Sequence, residues 1–331
     1  MYFLPNLYCY YLLVTTLAIL AHNEEAHIGD LIVSYLDVFE NILVVNDGSK
    51  DSTKSIVKNL QTNNSQVTLI DNQKNLGAGK SLEICINKFL EGDDEYLIKV
   101  DGDNQFKLED VIKLKKIIET GNYDFIKCDR FWGKGIEGSI PSIRYFGNAF
   151  ATVLAKFSSG NLKVSDPLNG LFAYSRKSLK GFKLPKLFYR YGYPFYFVTY
   201  MINLSIENNI KIGQLKNTIV YANEKSSLNP LILFFKLVSY SIKNYYVKIK
   251  IKLKYSALQV SAILDIFSQL FLFLSFYSLY KFFSIRYFSS IGPQGNWFIV
   301  FMIFFTISII LLFFSLKSEN EISSKHFIEL N

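Results

Sequence analysis

The sequence has little cysteine and little histidine. Cys9, Cys85 and Cys128 stand alone with no C-x-x-C spacing, which excludes a disulfide framework and a cysteine zinc site. His22, His27 and His326 are too few and too scattered for a histidine metal cluster. A reducing compartment is the simplest expectation for the soluble part. No Lys or Arg precedes the apolar stretch Tyr2–Leu20, so the positive n-region of a signal peptide is missing. Pro5 and Asn6 interrupt that stretch. It reads as a first core strand near Thr15–Leu20 behind an apolar N-terminal extension over residues 1–14, with a third membrane span as the alternative. Familiar phosphate loops are also incomplete. Gly77-Ala78-Gly79-Lys80-Ser81 ends like a P-loop, but Lys74 stands where that loop needs its first glycine. Leu82 likewise replaces the last glycine of a dinucleotide G-x-G-x-x-G. An EF-hand is excluded because Phe106 and Ile112 hold the places of its glycine and glutamate.

What the chain does have is apolar surface. Half of its 331 residues are apolar and 16% are aromatic, with 30 Phe and 22 Tyr, and the excess lies towards the C-terminus. That length holds one large domain or two medium ones. From Thr15 to about Tyr123, short apolar runs alternate with helical stretches. Strands are expected at Thr15–Leu20, Asn41–Asn46, Val67–Ile70, Tyr96–Val100 and Phe125–Cys128. Helices are expected over Ala26–Leu36, up to Leu60, over Gly79–Leu90 and over Leu108–Glu119. Repeated β-α units specify an α/β fold with an open, mostly parallel sheet and helices on both faces. Ligands in such sheets bind beyond the C-terminal strand ends, where Asn23, Asp47 and Asp101 fall. Asn75 and Gly77 line the same cleft in this reading.

One of those strand ends reads Y-L-I-K-V-D-G-D-N-Q over Tyr96–Gln105. Two carboxylates one residue apart, Asp101 and Asp103, aim hard oxygen ligands at one point, which suits Mg²⁺ or Mn²⁺ completed by substrate phosphates. Taken alone, the same residues also read as an acidic turn before a helix. Downstream the pattern is less regular. A glycine-rich loop, Gly133–Gly138, precedes an apolar helix from Phe146 to about Phe157. The run beginning Asp166-Pro167 turns into a strand, a helix covers about Pro194–Asn208, and a last strand is expected at Thr218–Tyr221 before a polar loop, Asn223–Ser227. Arg130, Arg144, Arg190 and Lys225 are loop cations suited to phosphate. Taken singly, each reads first as a solvated surface charge.

The formal charge of +8 raises nucleic acid as a ligand. Its location argues otherwise. Lys236, Lys243, Lys248, Lys250, Lys252 and Lys254 form a basic amphipathic segment over residues 229–256, immediately before an apolar run, Ala257–Tyr280. A second run, Trp297–Leu316, contains no charged residue. Both are long enough to cross a bilayer, and flanking lysines belong on the cytoplasmic side, against anionic headgroups. The expected organisation is therefore a two-helix hairpin over 257–316, a turn over Lys281–Asn296 and a cytoplasmic tail over 317–331. No nucleic acid is needed to explain the charge. Asp265, inside the first span, either faces protein or another subunit, which admits a homo-oligomer, or lies at the interface near Lys254.

Four separated pieces occur in one order: L-A-I-L-A-H-N-E-E (17–25), V-V-N-D-G-S-K-D-S-T (44–53), N-L-G-A-G (75–79) and V-D-G-D-N-Q (100–105). Together they resemble the inverting glycosyltransferase family 2, with its nucleotide-binding, Rossmann-like GT-A domain, here over residues 15–228. D-P-L-N-G-L-F-A (166–173) and the paired spans look like the branch that includes dolichol-phosphate mannosyltransferases and polyprenyl-phosphate sugar transferases. The resemblance implies that Ala21, Asn23, Glu25, Asp47, Gly48, Asn75, Gly77 and Asp101 line the pocket of a UDP- or GDP-hexose donor. It further implies that Asp101, Asp103 and Gln105 meet the metal, and that Arg130 and Arg144 lie near phosphate. Asp166 matches the acidic residue of the acceptor-side motif. The chain departs from relatives at His22, where an aromatic is common, and at Leu171-Phe172-Ala173, where an aromatic-arginine pair is common. The implied reaction moves a hexose to polyprenyl phosphate, an acceptor already anionic. A hydroxyl acceptor on a lipid-linked glycan would need a general base, for which Asp166 is the candidate. A membrane scaffold that keeps the fold without catalysis is the non-enzymatic alternative.

Overall fold

The computed structural model describes residues 14–131, 136–137, 142–220, 229–288 and 294–330. The N-terminal extension and the loops Gly133–Gly138 and Asn223–Ser227 lie wholly or largely outside them. The strands are β1 (Thr15–Ala21), β2 (Asn41–Asn46), β3 (Val67–Asp71), β4 (Tyr96–Asp101), β5 (Phe125–Asp129), β6 (Ile136–Glu137), β7 (Phe172–Ser175), β8 (Ile212–Lys216), β9 (Ile219–Val220) and β10 (Phe327–Leu330). The helices are α1 (Ile28–Tyr35), α2 (Thr53–Asn63), α3 (Ala78–Glu91), α4 (Leu108–Ile118), α5 (Ser142–Ser159), α6 (Arg176–Leu179), α7 (Tyr193–Asn208), α8 (Pro230–Lys254), α9 (Gln259–Phe288) and α10 (Gln294–Ser323).

Eight strands form one sheet in the order β10-β8-β5-β7-β4-β1-β2-β3, and β6 pairs with β9 apart from it. All neighbours in the large sheet run parallel except β7, which is antiparallel to both β4 and β5. The period of two along each strand sorts the core. Leu17, Ile19, Ile42, Val44, Ile98 and Val100 pack to one side with Ile28, Ile32, Val111 and Leu114 of α1 and α4. Ala18, Leu20, Val45 and Leu97 pack to the other with Leu82 and Ile86 of α3 and Phe195 and Phe197 of α7. A strand covered on both faces is mostly apolar, which is why β1 runs L-A-I-L-A from Leu17 to Ala21. Each such side chain buried contributes about 1.5–3 kcal/mol.

The C-terminal third contains helices of a different kind. Asn229 caps α8 by accepting from the Leu231 and Ile232 amides, with Pro230 in the first turn. Segments Ser256–Tyr287 and Gly295–Ser323 are long and apolar enough to cross a membrane. They expose large side chains such as Phe273, Phe276, Ile299 and Phe313, unlike the core helix of a soluble domain. Serines close the contact between them. Ser261 donates to the Ser315 carbonyl at 3.1 Å, and Ser268 and Ser308 face each other's carbonyls at 2.9–3.0 Å. Small residues at such crossings let two backbones approach.

Three expectations change. Residues 281–288 continue α9 and 294–296 open α10, so most of the expected turn is helix. Residues 317–331 are not a free tail: α10 runs on to Ser323, and Phe327–Leu330 join the sheet as a parallel edge strand beside β8. Nor do all the α8 lysines face outward, because Lys248 and Lys252 are fully buried. Lys252 Nζ lies 2.7 Å from both Asp265 Oδ2 and Glu319 Oε2, and Lys248 Nζ lies 3.0 Å from Glu319 Oε2. The contacts at Glu319 are ion pairs without hydrogen-bond alignment. Tyr245 Oη and Ser315 Oγ donate to Asp265 Oδ1 at 2.9 and 2.5 Å, so Asp265 faces protein.

Candidate active site

β4 ends in the acidic motif, and its register explains the neighbours of Asp101. Residues two apart share a face, so Lys99 and Asp101 point the same way. Lys99 is fully buried, and its Nζ donates to Asp101 Oδ1 at 2.5 Å and to the Gly170 carbonyl at 3.0 Å. The ammonium also lies 5.2 Å from the Tyr193 ring centre. Burial first, and then the charge of Asp101, hold the Tyr193 phenol well above its ordinary range, so it stays neutral. Gly170 leaves no spare room: a Cβ there would sit 2.5 Å from Asp101 Oδ2. The D-P-L-N-G turn is thus pressed against the D-x-D carboxylate. Beyond Asp101, Gly102 donates to the Leu20 carbonyl at 2.9 Å, and Asp103 Oδ1 accepts from the Gln105 amide at 3.3 Å.

The loops after β1, β2 and β3 interlock beside it. Asp47 is buried, and its carboxylate accepts from the Leu76 and Gly77 amides at 2.8 Å and from Asn72 Nδ2 at 3.0 Å. Its amide donates to the Ala21 carbonyl at 2.8 Å. Asn23 Oδ1 accepts from the Lys50 amide at 2.8 Å, and Glu25 Oε2 from the Ser52 amide at 2.9 Å. These three side chains hold loops in register. Gly48 has φ +63°, and a Cβ there would come within 2.5 Å of the Lys74–Asn75 backbone. Gly77 has φ +94°, and a Cβ there would meet the Tyr189 carbonyl and Arg190. Arg190 therefore lies directly on the N-L-G-A-G loop. A cleft of about 490 Å³ opens between the loops, with His22, Gly48, Lys50, Lys74 and Asn75 on its walls.

On the other side of Asp101, Asp166 is buried with φ +42°. Its Oδ1 accepts from Arg130 Nε at 3.2 Å and Nη2 at 3.0 Å, and its Oδ2 from the Arg130 amide at 3.0 Å and Asn169 Nδ2 at 3.2 Å. Both oxygens are thus committed to orienting Arg130 and the turn. In this geometry the residue expected as a candidate general base stands as a clamp on Arg130. Arg144 stands in the first turn of α5.

Asp101, Asp103 and Gln105 offer only oxygen donors, the set that Mg²⁺ or Mn²⁺ prefers. Among the described residues no group of three or more His, Cys, Asp or Glu is placed to hold a metal ion. The arrangement fits a cation held by two carboxylates with the remaining positions left for substrate oxygens. Sequence reasoning passed over Lys99. A single lysine in the middle of a buried strand was the available signal, since a buried charge demands a partner.

A mixed sheet whose C-terminal strand ends gather an acidic pair, interlocked loops and a cleft is a GT-A nucleotide-binding domain. Residues 16–182 match Glycosyl transferase family 2, about half of the chain, and the chain belongs to that family. It is similar to an uncharacterized protein, MJ0544, of Methanocaldococcus jannaschii, 33% identical over 42% of this chain and 59% of that one. It also resembles the UDP-N-acetylglucosamine–dolichyl-phosphate N-acetylglucosaminyltransferase of Methanococcus voltae, 27% identical over 50% of this chain and 70% of that one. Among solved structures, the Pyrobaculum calidifontis mannosyltransferase PcManGT, in complex with GDP-Man and Mn²⁺, is similar over 90% of this chain and 86% of that one, at 12% identity and a TM-score of 0.43.

Proposed function

We propose that this chain is a membrane-anchored inverting glycosyltransferase that moves a hexose from a nucleotide-sugar to polyprenyl phosphate. The observation that carries the choice of acceptor is the Asp166–Arg130 pair. A sugar hydroxyl must lose its proton during attack, and the carboxylate suited to take it is saturated by four donors. A phosphate acceptor is already anionic and needs only a fixed cation to receive it, which Arg130, held at Nε and Nη2, supplies. The similarity to a dolichyl-phosphate transferase and the two exposed apolar helices support the same reading.

In this scheme the cleft beside Asn75 and Gly77 takes the nucleotide, with Asp47, Asn23 and Glu25 shaping it through the backbone contacts they make. Asp101, Asp103 and Gln105 hold Mg²⁺ or Mn²⁺ against the diphosphate. A cation there supplies charge stabilisation for the departing nucleoside diphosphate. Arg190 on the Gly77 loop and Arg144 add positive charge on either side. The acceptor oxygen attacks C1 opposite the leaving group, so configuration inverts.

Membranes containing the protein, incubated with labelled sugar nucleotides and undecaprenyl or dolichyl phosphate, test this directly. Label is expected in a lipid fraction released by mild acid; label only in a longer glycan would replace the acceptor. Asp103→Ala is expected to abolish transfer while the protein stays folded and in the membrane, and unchanged turnover would remove the metal assignment. Asp166→Asn separates clamp from base: turnover should fall with the pH–rate profile keeping its shape, whereas loss of a profile limb would restore the base role.

A further inference from the structure

Lys99 is a buried charge at the acidic motif that the proposed reaction does not yet use. It comes from inside β4, with no exposed surface, and burying an ammonium costs several kcal/mol unless charge and hydrogen bonds offset it. The offset is fully local. Asp101 Oδ1 at 2.5 Å supplies the counter-charge, the Gly170 carbonyl at 3.0 Å a second acceptor, and the Tyr193 ring a π face. Asp101 is fixed from both sides as a result, with Lys99 against Oδ1 and the Gly170 backbone against Oδ2. Its side chain nevertheless keeps about a third of its surface exposed at the strand end. The lysine therefore reaches the motif from within the sheet, opposite to the side from which a ligand arrives.

We propose that Lys99 is the positioning residue of the metal site, fixing Asp101 and lowering the site's negative charge so that a divalent cation binds together with a diphosphate and not ahead of it. The inference rests on the metal assignment made above. Asp101 and Asp103 with Lys99 leave one net negative charge, against two without the lysine. A dication beside Asp101 also lies within the range at which a fixed ammonium repels it strongly in a partly desolvated site. A nucleoside diphosphate brings the missing negative charge, so cation and nucleotide load cooperatively, and the cation leaves with the diphosphate product. Lys99 is fully buried against the Tyr193 ring, so water does not reach the ammonium to screen that repulsion.

The test is Mn²⁺ binding followed by electron paramagnetic resonance on the full-length protein in detergent, with and without UDP or GDP. Lys99→Gln removes the charge while keeping a donor for the Gly170 carbonyl, Lys99→Met removes both, and Lys99→Arg keeps the charge. Circular dichroism and thermal unfolding confirm that each is folded, and a variant that fails this check is replaced by the other neutral one. The neutral variants should bind free Mn²⁺ at least about tenfold more tightly than the parent. The gain in Mn²⁺ affinity on adding nucleoside diphosphate should shrink in them, and Lys99→Arg should behave like the parent. A merely structural lysine would leave these affinities alone. Unchanged or weaker binding in the folded neutral variants overturns the role of Lys99 while leaving the metal site standing. Failure of every form to bind Mn²⁺, even with UDP or GDP, overturns both.

Discussion

Gly170 and Lys99 show how much of this site depends on residues other than its carboxylates. A methyl group at 170 would fall 2.5 Å from Asp101 Oδ2 and 3.1 Å from Lys99 Nζ, so Gly170→Ala must displace the carboxylate. Transfer is expected to fall roughly a hundredfold with the fold retained, since a displacement near 1 Å costs that much; steady-state rates beside circular dichroism check it. The D-x-D pair was legible because it is contiguous. The Arg130–Asp166 clamp was not, because its partners are 36 residues apart and only β5 and the turn before β7 bring them together. Phe172, in the turn-to-strand run that carries Asp166 and Gly170, is directly opposite Lys99 in the β4–β7 register. Asp71 allows a pH test at the same scale. Burial pushes its carboxyl up, but hydrogen bonds from Lys54 and Asn46 and the Lys54 charge outweigh that and leave it below the ordinary range. A depressed carboxyl stabilises fully above its unfolded value, about 3.9, and loses that contribution as pH falls through the folded value. Asp71→Asn should therefore be less stable than the parent at neutral pH, with the gap closing below about pH 4 in urea unfolding.

At the scale of elements, β-α alternation gave the first five strands and four helices nearly at their final bounds, because each is local and each has a two-sided or one-sided apolar pattern. α8 was harder. Composition marks it as basic but does not say which lysines share a face with partners far along the chain. Lys248 and Lys252 are four apart, hence one above the other on the helix, with Tyr245 on the same side. Their partners Asp265 and Glu319 come from α9 and α10, and Lys248 Nζ also donates to the Phe157 carbonyl at the end of α5 at 3.0 Å. Four buried charges of balanced sign therefore bind four helices. Removing one, as in Asp265→Leu, should cost about 3–5 kcal/mol, because two buried ammoniums then share the single carboxylate of Glu319. The pair Lys252→Met with Asp265→Leu should regain part of that loss. Thermal unfolding in detergent of the two single variants and the double variant measures the coupling.

The whole molecule is less modular than its sequence suggests. A catalytic domain followed by a hairpin and a tail is the natural reading of the composition, yet strand β10 lies beyond the second apolar helix and pairs with β8 from Phe327↔Ile212 to Leu330↔Leu215. Four residues are too few to give a strand signal of their own; pairing defines them. Deleting residues 325–331 should uncover the β8 edge, lower the midpoint of thermal unfolding and increase association, as read by size-exclusion chromatography. With β10 in place, the apolar hairpin is attached to the domain twice, through the α8–α9 junction and again through the sheet edge. A body joined to its support at one point can swivel freely, whereas one joined at two can only rock about the line between them. Under the proposed insertion, the cleft therefore swings over the lipid plane about that one line only, and an acceptor confined to two dimensions meets it from a narrow range of directions.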